Sequence, residues 1–193
     1  MNETELIVRL QQKEEAAFRQ LVEGWKDRIY NTALGLIQQA EDAEDITQDV
    51  FVTALGSIGE FRAESGISTW LYRITVNKSI DHLRKKKRKK LFGLVLLIRG
   101  KNGGQENDNP DFIHPGVQLE KKQEAAILFS AIRKLPEQQR IAYSLHKVEG
   151  LPMAEIGKIL NLSEGAVESL LQRAKQNLRK SLLSYYQNNR HER

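Results

Sequence analysis

Three groups of residues in this chain could do chemistry. The first is cationic: Arg84 to Lys90 reads RKKKRKK, seven consecutive positive charges. The 193 residues carry 30 Lys+Arg against 25 Asp+Glu, a net +5, so these seven leave the other 186 residues at −2. A concentrated cationic block on a nearly neutral body attracts phosphate or another anionic surface. The second group is acidic. Asp42, Glu44, Asp45 and Asp49 fall within eight residues on a helical apolar repeat. Clustered carboxylates can gather Mg²⁺, but no second cluster or substrate loop accompanies this one. The third group is the set Ser163, Glu164, Gly165, Ala166, Glu168, Ser169, Gln172 and Arg173, whose small and hydrogen-bonding residues suit close approach to base edges and phosphates.

Helices must position these groups. Leu6, Leu10, Ala17, Leu21 and Trp25 recur on one face of a 3.6-residue period, and a second pattern runs through Ile29, Ala33, Leu36 and Ile37. A third passes Ala43, Ile46, Val50, Ala54 and Leu55 and stops at Gly56 and Gly59. A fourth begins near Ser68, a plausible N-cap, and runs through Trp70, Leu71, Ile74, Ile80 and Leu83 into the basic block. Residues 99–118 break the period, holding four of the thirteen glycines and two of the four prolines, and read as a flexible, locally acidic linker. Helical character resumes at about Leu119. The prediction is an all-α chain of two helical domains, 1–90 and 120–193, joined by a linker at 91–119.

The second domain has the more specific pattern. Leu135-Pro136-Glu137 reads as a helix start with Pro at the first helical position, and Gly150 supplies a left-handed end after Ile141, Leu145 and Val148. A short helix from Pro152 to Leu160 follows. Asn161-Leu162-Ser163 then turns the chain, and Ser163 caps a long helix from Glu164 to about Leu183. Short helix, tight turn and longer helix make a helix-turn-helix. Val167, Leu170, Leu171, Ala174 and Leu178 form its packing stripe, which leaves the third group facing outward. In a recognition helix, Arg173 meets a guanine edge or a phosphate, Ser169 and Gln172 reach base edges, and amides near Ser163 and Glu164 face a phosphate. The same pattern also suits a bundle helix exposed on one side.

Composition excludes several classes. There is no cysteine, hence no disulfide framework, thiolate metal site or cysteine nucleophile. The longest apolar run, Leu91 to Ile98 counting Gly93, is far short of a membrane span. The start MNETELIVRLQQKEE lacks a secretory pattern, so a cytoplasmic location is expected.

The segment Asp42-Ala43-Glu44-Asp45-Ile46-Thr47-Gln48-Asp49-Val50-Phe51 comes first in the order. It is followed by Phe61-Arg62-Ala63-Glu64-Ser65 and Thr69-Trp70-Leu71-Tyr72-Arg73-Ile74-Thr75-Val76-Asn77, then Asp81 and Arg84. With Leu135-Pro136-Glu137 and Ser163 to Ser169, this ordered set resembles the extracytoplasmic-function class of bacterial RNA polymerase sigma factors, over roughly residues 5–90 and 120–183.

The resemblance implies a non-enzymatic specificity subunit that needs no cofactor, metal or small-molecule substrate. Its partners would be core RNA polymerase (the largest subunit's coiled coil and the flap region), promoter DNA and an anti-sigma factor, in many relatives membrane-bound. Asp42, Glu44, Asp45, Gln48 and Asp49 would dock on core, with Phe51 either adding apolar contact or belonging to the core of the fold. Opposite charge would speed and orient that docking. Arg62, Ser65, Ser68, Arg73, Asn77, Lys78 and Arg84 would bind the −10 element. The polar loop would receive an extruded base, Asn77 would bond a base of the non-template strand, and the cations would hold phosphates. Trp70 and Tyr72 either stack on bases or pack inside. Ser163 to Arg173 would read the −35 element, and the linker would follow the path of nascent RNA.

Two features depart from the family pattern. Glu168 and Leu170 stand where relatives often carry basic residues. The run RKKKRKKLFGLVLLIRG at 84–100 has three readings: an extension of the fourth helix that packs between modules, a contact for an anti-sigma factor, or a segment touching a membrane surface. Two competing functions stay open on the residues alone. A dimeric helix-turn-helix regulator would read palindromic half-sites, and a metal-dependent nucleic-acid hydrolase would use Asp42, Asp45 and Asp49.

Overall fold

A computed structural model describes residues 2–98 and 122–188. Within them the chain forms α1 (Glu3–Gln11), α2 (Glu15–Ile37), α3 (Ala40–Ser57), α4 (Ile67–Ile98), α5 (Lys122–Arg133), α6 (Glu137–Lys147), α7 (Met153–Leu160) and α8 (Glu164–Asn188), with a 3₁₀ turn at Ile58–Glu60. The all-α expectation holds among the described residues.

Three boundaries differ from the expected ones. The periodicity of Leu6 to Trp25 belongs to two helices, because the chain turns at Lys13 in the left-handed region (φ 58°). A bidentate Arg9–Glu14 pair closes that turn, at 2.7 and 2.5 Å. Beyond it, the end of the first pattern and the whole second pattern form the single helix α2. Ser68 is not the cap of α4: Gly66 accepts the first helical bond, and the Glu3 carboxylate of α1 accepts from the Ile67 amide at 2.6 Å. A carboxylate there satisfies an orphan donor and opposes the helix dipole. Pro136 and Pro152 occupy the cap positions, one residue before their helices begin.

Helix α4 continues through the basic block to Ile98, so residues 91–98 of the expected linker are helical. The remainder of the linker lies outside the described residues.

The helix-turn-helix geometry depends on one glycine. A Cβ at Gly157 would lie 2.7 Å from the Leu162 carbonyl oxygen. Only glycine lets the turn pass so close. Asn161 takes the left-handed conformation (φ 55°) that asparagine tolerates, Leu162 N donates to Gly157 O at 2.9 Å, and the Ser163 hydroxyl accepts from Ala166 N at 3.3 Å.

The two modules are docked on each other. Leu36, Tyr72, Val76 and Ile80 of α2 and α4 close over Ile141, Leu145, Ile156, Ile159, Val167 and Leu171 to make one buried cluster. Phe129, Ile132, Leu135, Ala174 and Leu178 join the other cluster, built around Leu10, Leu21, Ile29, Leu34 and Leu71. Gln38, itself buried, donates from Nε2 to Phe129 O at 2.9 Å and ties α2 to α5. Each module thus completes its partner's core with apolar area that would otherwise meet water.

Candidate nucleic-acid interface

On α8 the apolar stripe Val167, Leu171, Ala174 and Leu178 is buried, which turns Glu164, Gly165, Glu168, Gln172 and Arg173 outward as exposed residues; Ser163, just before the helix, is exposed too, while Ala166 and Ser169 are half-buried. Two of these groups are already engaged locally. The Ser169 hydroxyl donates to Gly165 O at 2.9 Å, and Gln172 Nε2 reaches Glu168 Oε1 at 3.4 Å. Arg173 remains exposed, and Lys175, Arg179 and Lys180 extend the exposed cations along the helix. The expected readout set was limited to residues 163–173, although a longer amphipathic tract was visible.

On α4, Trp70, Arg73, Asn77 and Arg84 recur at spacings that keep them along one edge of the helix. Asn77 and Arg84 are exposed, Arg73 and Lys78 half-buried. At the start of this edge, Arg62, Ser65, Trp70 and Arg73, with Ser57, Glu60, Phe61 and Glu64, line a cleft of about 370 Å³. The half-buried Ser68 is not among its lining residues. Trp70 packs inside but keeps part of its surface at the cleft. It stacks obliquely on Phe61 (4.9 Å, 41°). Tyr72 is buried, edge-on to Trp25 at 5.9 Å, so it is not free to stack on a base.

The C-terminal module draws off two of the cations expected at phosphates. The Arg73 guanidinium bonds Lys158 O, and Arg84 forms a bidentate pair with Glu137 at 2.7 and 3.3 Å. Both contacts join α4 to the helix-turn-helix module.

On α3, Glu44, Asp45, Gln48 and Asp49 are exposed. Phe51 is buried and meets Phe18 edge-on at 6.4 Å, which settles it in the core of the fold. Asp42 is partly covered, between His82 Nε2 at 3.2 Å and Lys86 Nζ at 3.4 Å; Lys86 also bonds Gln39. The acidic face has an apolar edge that sequence reasoning missed. Val52 and Leu55 are 70% and 42% exposed beside Gln48 and Asp49. The helical repeat places Leu55 with Ala54 in the core; Ala54 is buried, and Leu55, about 100° further round the helix, turns to solvent.

At the joint between the modules lies a carboxylate with no counterpart in the sequence reading. One oxygen of Glu149 is buried without a partner among the described residues. Burial pushes this group up to about 7, although the neighbouring Thr32 hydroxyl and the charge of Arg28 pull the other way. The Tyr72 phenol is raised to about 12, by burial first and by Glu149 second.

Two family descriptions match: Sigma-70 region 2 over residues 21–89 and Sigma-70, region 4 over residues 118–178. The chain is 32% identical over 178 residues to the ECF RNA polymerase sigma factor SigW of Bacillus subtilis (strain 168), covering 91% of this chain and 94% of that one. It is 30% identical over 176 residues to the ECF RNA polymerase sigma-E factor of Escherichia coli (strain K12), covering 89% of each. Among solved structures, CnrH in complex with the cytosolic domain of CnrY shares the fold, with a TM-score of 0.67 and 22% identity over 94% of this chain and 97% of that one. The sigma factor RpoE in complex with the anti-sigma factor NepR from Bartonella quintana has a TM-score of 0.64 and 21% identity over 86% and 96%.

Proposed function

The chain belongs to the extracytoplasmic-function class of sigma-70 RNA polymerase sigma factors, and from that premise we propose how its surfaces divide the work. The protein binds core RNA polymerase and directs promoter-specific initiation by recognising −35 and −10 elements and promoting melting. Its family is not one of catalytic enzymes. Melting is drawn from binding to the single-stranded form, a shift of a DNA equilibrium.

The cleft beside Trp70 receives an extruded −10 base, with Arg62 and Ser65 in its wall, Asn77 bonding a neighbouring base through its amide, and Ser68 and Lys78 contributing outside the cleft. Arg73 and Arg84 take backbone phosphates once the C-terminal module releases them. The start of α8, from Ser163 to Arg173, enters the −35 major groove. There Arg173 is the strongest direct reader, and Glu168 accepts from a cytosine amine. Glu44, Asp45, Gln48 and Asp49 dock on core with Val52 and Leu55 as the apolar centre of the contact, and Asp42 contributes after leaving His82 and Lys86. An anti-sigma partner holds the factor inactive; the solved neighbour RpoE is itself in complex with the anti-sigma factor NepR. The site of action is the cytoplasm, at the nucleoid when core is bound.

The observation that carries this reading is that each module exposes a polar helix edge bearing its motif residues, one edge for each element of a two-part promoter. Run-off transcription with core polymerase on a library of upstream regions tests it. Initiation at an asymmetric two-part site, dependent on this protein, is the expected result. Failure to associate with core and to initiate on any template overturns it.

A further inference from the structure

The end of α4 is not used by the promoter and core surfaces. From Lys87 onward the described side chains, Lys87, Arg88, Lys89, Lys90, Leu91 and Phe92, are all exposed. Leu91 and Phe92, both large and apolar, are 61% and 66% exposed. With Asp81, Arg84, Lys87 and Arg88 they line a surface groove of about 740 Å³ whose described walls all belong to α4. The helix runs unbroken to Ile98, through the apolar sequence Leu91 to Ile98.

We propose that this end of α4 binds anionic lipid surfaces end-on, with the Lys87–Lys90 cations as a collar at the headgroups and the apolar sequence that follows entering one leaflet. Consecutive helical residues step round the axis by about 100°, so the four exposed cations from Lys87 to Lys90 ring the helix instead of marking one face. The sequence that follows, Leu91 to Ile98, is apolar throughout. An in-plane amphipathic helix needs a divided circumference, and a partner helix lying in a groove needs a one-sided apolar stripe; this segment has neither. It has a cationic ring and then an apolar tip, the order met on crossing from headgroups to acyl chains. At 1.5 Å per residue the tip is roughly 12 Å long. That is near the half-thickness of a hydrocarbon core of about 30 Å and well short of spanning it, and no helix among the described residues is long and apolar enough to cross a membrane. Helical backbone meets the other requirement of the lipid phase, because its polar groups are paired within the segment. Nucleic acid would engage the cations but gain nothing from Leu91 and Phe92.

Flotation of the full chain with lipid vesicles tests this. One set mixes phosphatidylcholine and phosphatidylglycerol roughly three to one, and the other is phosphatidylcholine alone. Binding at least about tenfold stronger to the anionic set is expected. The variant Leu91→Ser/Phe92→Ser, which leaves charge unchanged, should lose most of that binding yet still support run-off transcription with core. Lys87→Gln/Lys89→Gln should lower binding and steepen no salt dependence. Three results overturn the proposal: no binding above the neutral vesicles, equal binding to both sets, or anionic binding that the serine variant leaves intact and duplex DNA displaces. The last would identify a phosphate-binding surface only. Loss of vesicle binding with transcription intact, or the reverse, separates this proposal from the promoter reading.

Discussion

The Arg73 guanidinium donates from Nε at 3.2 Å and from Nη2 at 2.5 Å to the main-chain carbonyl of Lys158, 85 residues further along. Lys158 lies in the last turn of α7, where Leu162 N has gone to Gly157 instead. The carbonyl therefore lacks a helical donor, and the arginine satisfies it at the negative end of the helix dipole. Arg73 also lines the cleft proposed for a −10 base, so the docked arrangement and promoter binding compete for one side chain. Glu137 does the same to Arg84. The variant Glu137→Ala, outside both DNA surfaces, should increase the undocked population. Distance measurement between labels on α3 and α8 reads this directly. An unchanged distance distribution would show that the apolar joint alone sets docking.

Glu149 makes docking pH-dependent. Its ordinary value of 4.5 rises to about 7 in the docked state, so docking takes up a proton. The stabilisation is complete below about pH 4.5, declines as pH rises through 7 and is absent above it. The facing groups are Arg28 of α2, which opposes the shift, and Tyr72 of α4, itself raised to about 12. Discounted for a partly wet site, the effect is about 1–2 kcal/mol. Glu149→Gln should hold the modules together at pH 8 and flatten the dependence between pH 5 and 7.5, read by urea midpoints and the same labels.

Removing the Glu3 cap should loosen the start of α4. Its carboxylate holds the Ile67 amide at 2.6 Å, and losing a capping acceptor costs roughly 1 kcal/mol. Glu3→Ala should accelerate hydrogen exchange at Ile67 and its neighbours while leaving α8 unaffected.

The apolar edge of α3 should matter to core binding and not to folding. Val52 and Leu55 are exposed, so Val52→Ala/Leu55→Ala should move stability by less than about 0.5 kcal/mol yet weaken association with core roughly tenfold through a faster off-rate. Asp45→Lys should instead slow association, and most clearly at low salt.

The helix-turn-helix was legible because its determinants are local. Pro136, Gly150, Asn161 and Ser163 punctuate it within a few residues of where they act, and the stripe from Val167 to Leu178 needs only a 3.6-residue period. Helix α4 was also legible, but not its cap, because Glu3 is 64 residues from Ile67. The same holds for the joint between modules. Tyr72, Val76 and Ile80 look like ordinary core in a helical repeat, and nothing near them in the chain says that Ile141 and Ile156 complete that core. Glu149 carried no signal at all, since only its burial against α2 distinguishes it from any other surface glutamate. Leu55 misled because apolar character implies burial only where the helix turns inward.

Asn77 and Arg173 separate the two halves of promoter recognition. Asn77 is exposed on α4 one turn beyond Arg73, and Arg173 is exposed on α8; neither borders the acidic face of α3. A lost amide contact to an extruded base acts after duplex binding, so Asn77→Ala should lower open-complex formation while core affinity and −35 protection stay unchanged. Arg173→Ala should act earlier. If Arg173 reads a guanine bidentately, the loss is about 1–3 kcal/mol of binding on the preferred upstream sequence and little on a scrambled one; a phosphate contact would cost both alike and reduce the salt slope by about one. Permanganate reactivity of unstacked thymines and footprinting of the upstream element measure the two steps on one template. Equal loss of core binding from Asn77→Ala would make that residue structural, because an exposed side chain with a purely DNA-directed role has no means of reaching the core contact on α3.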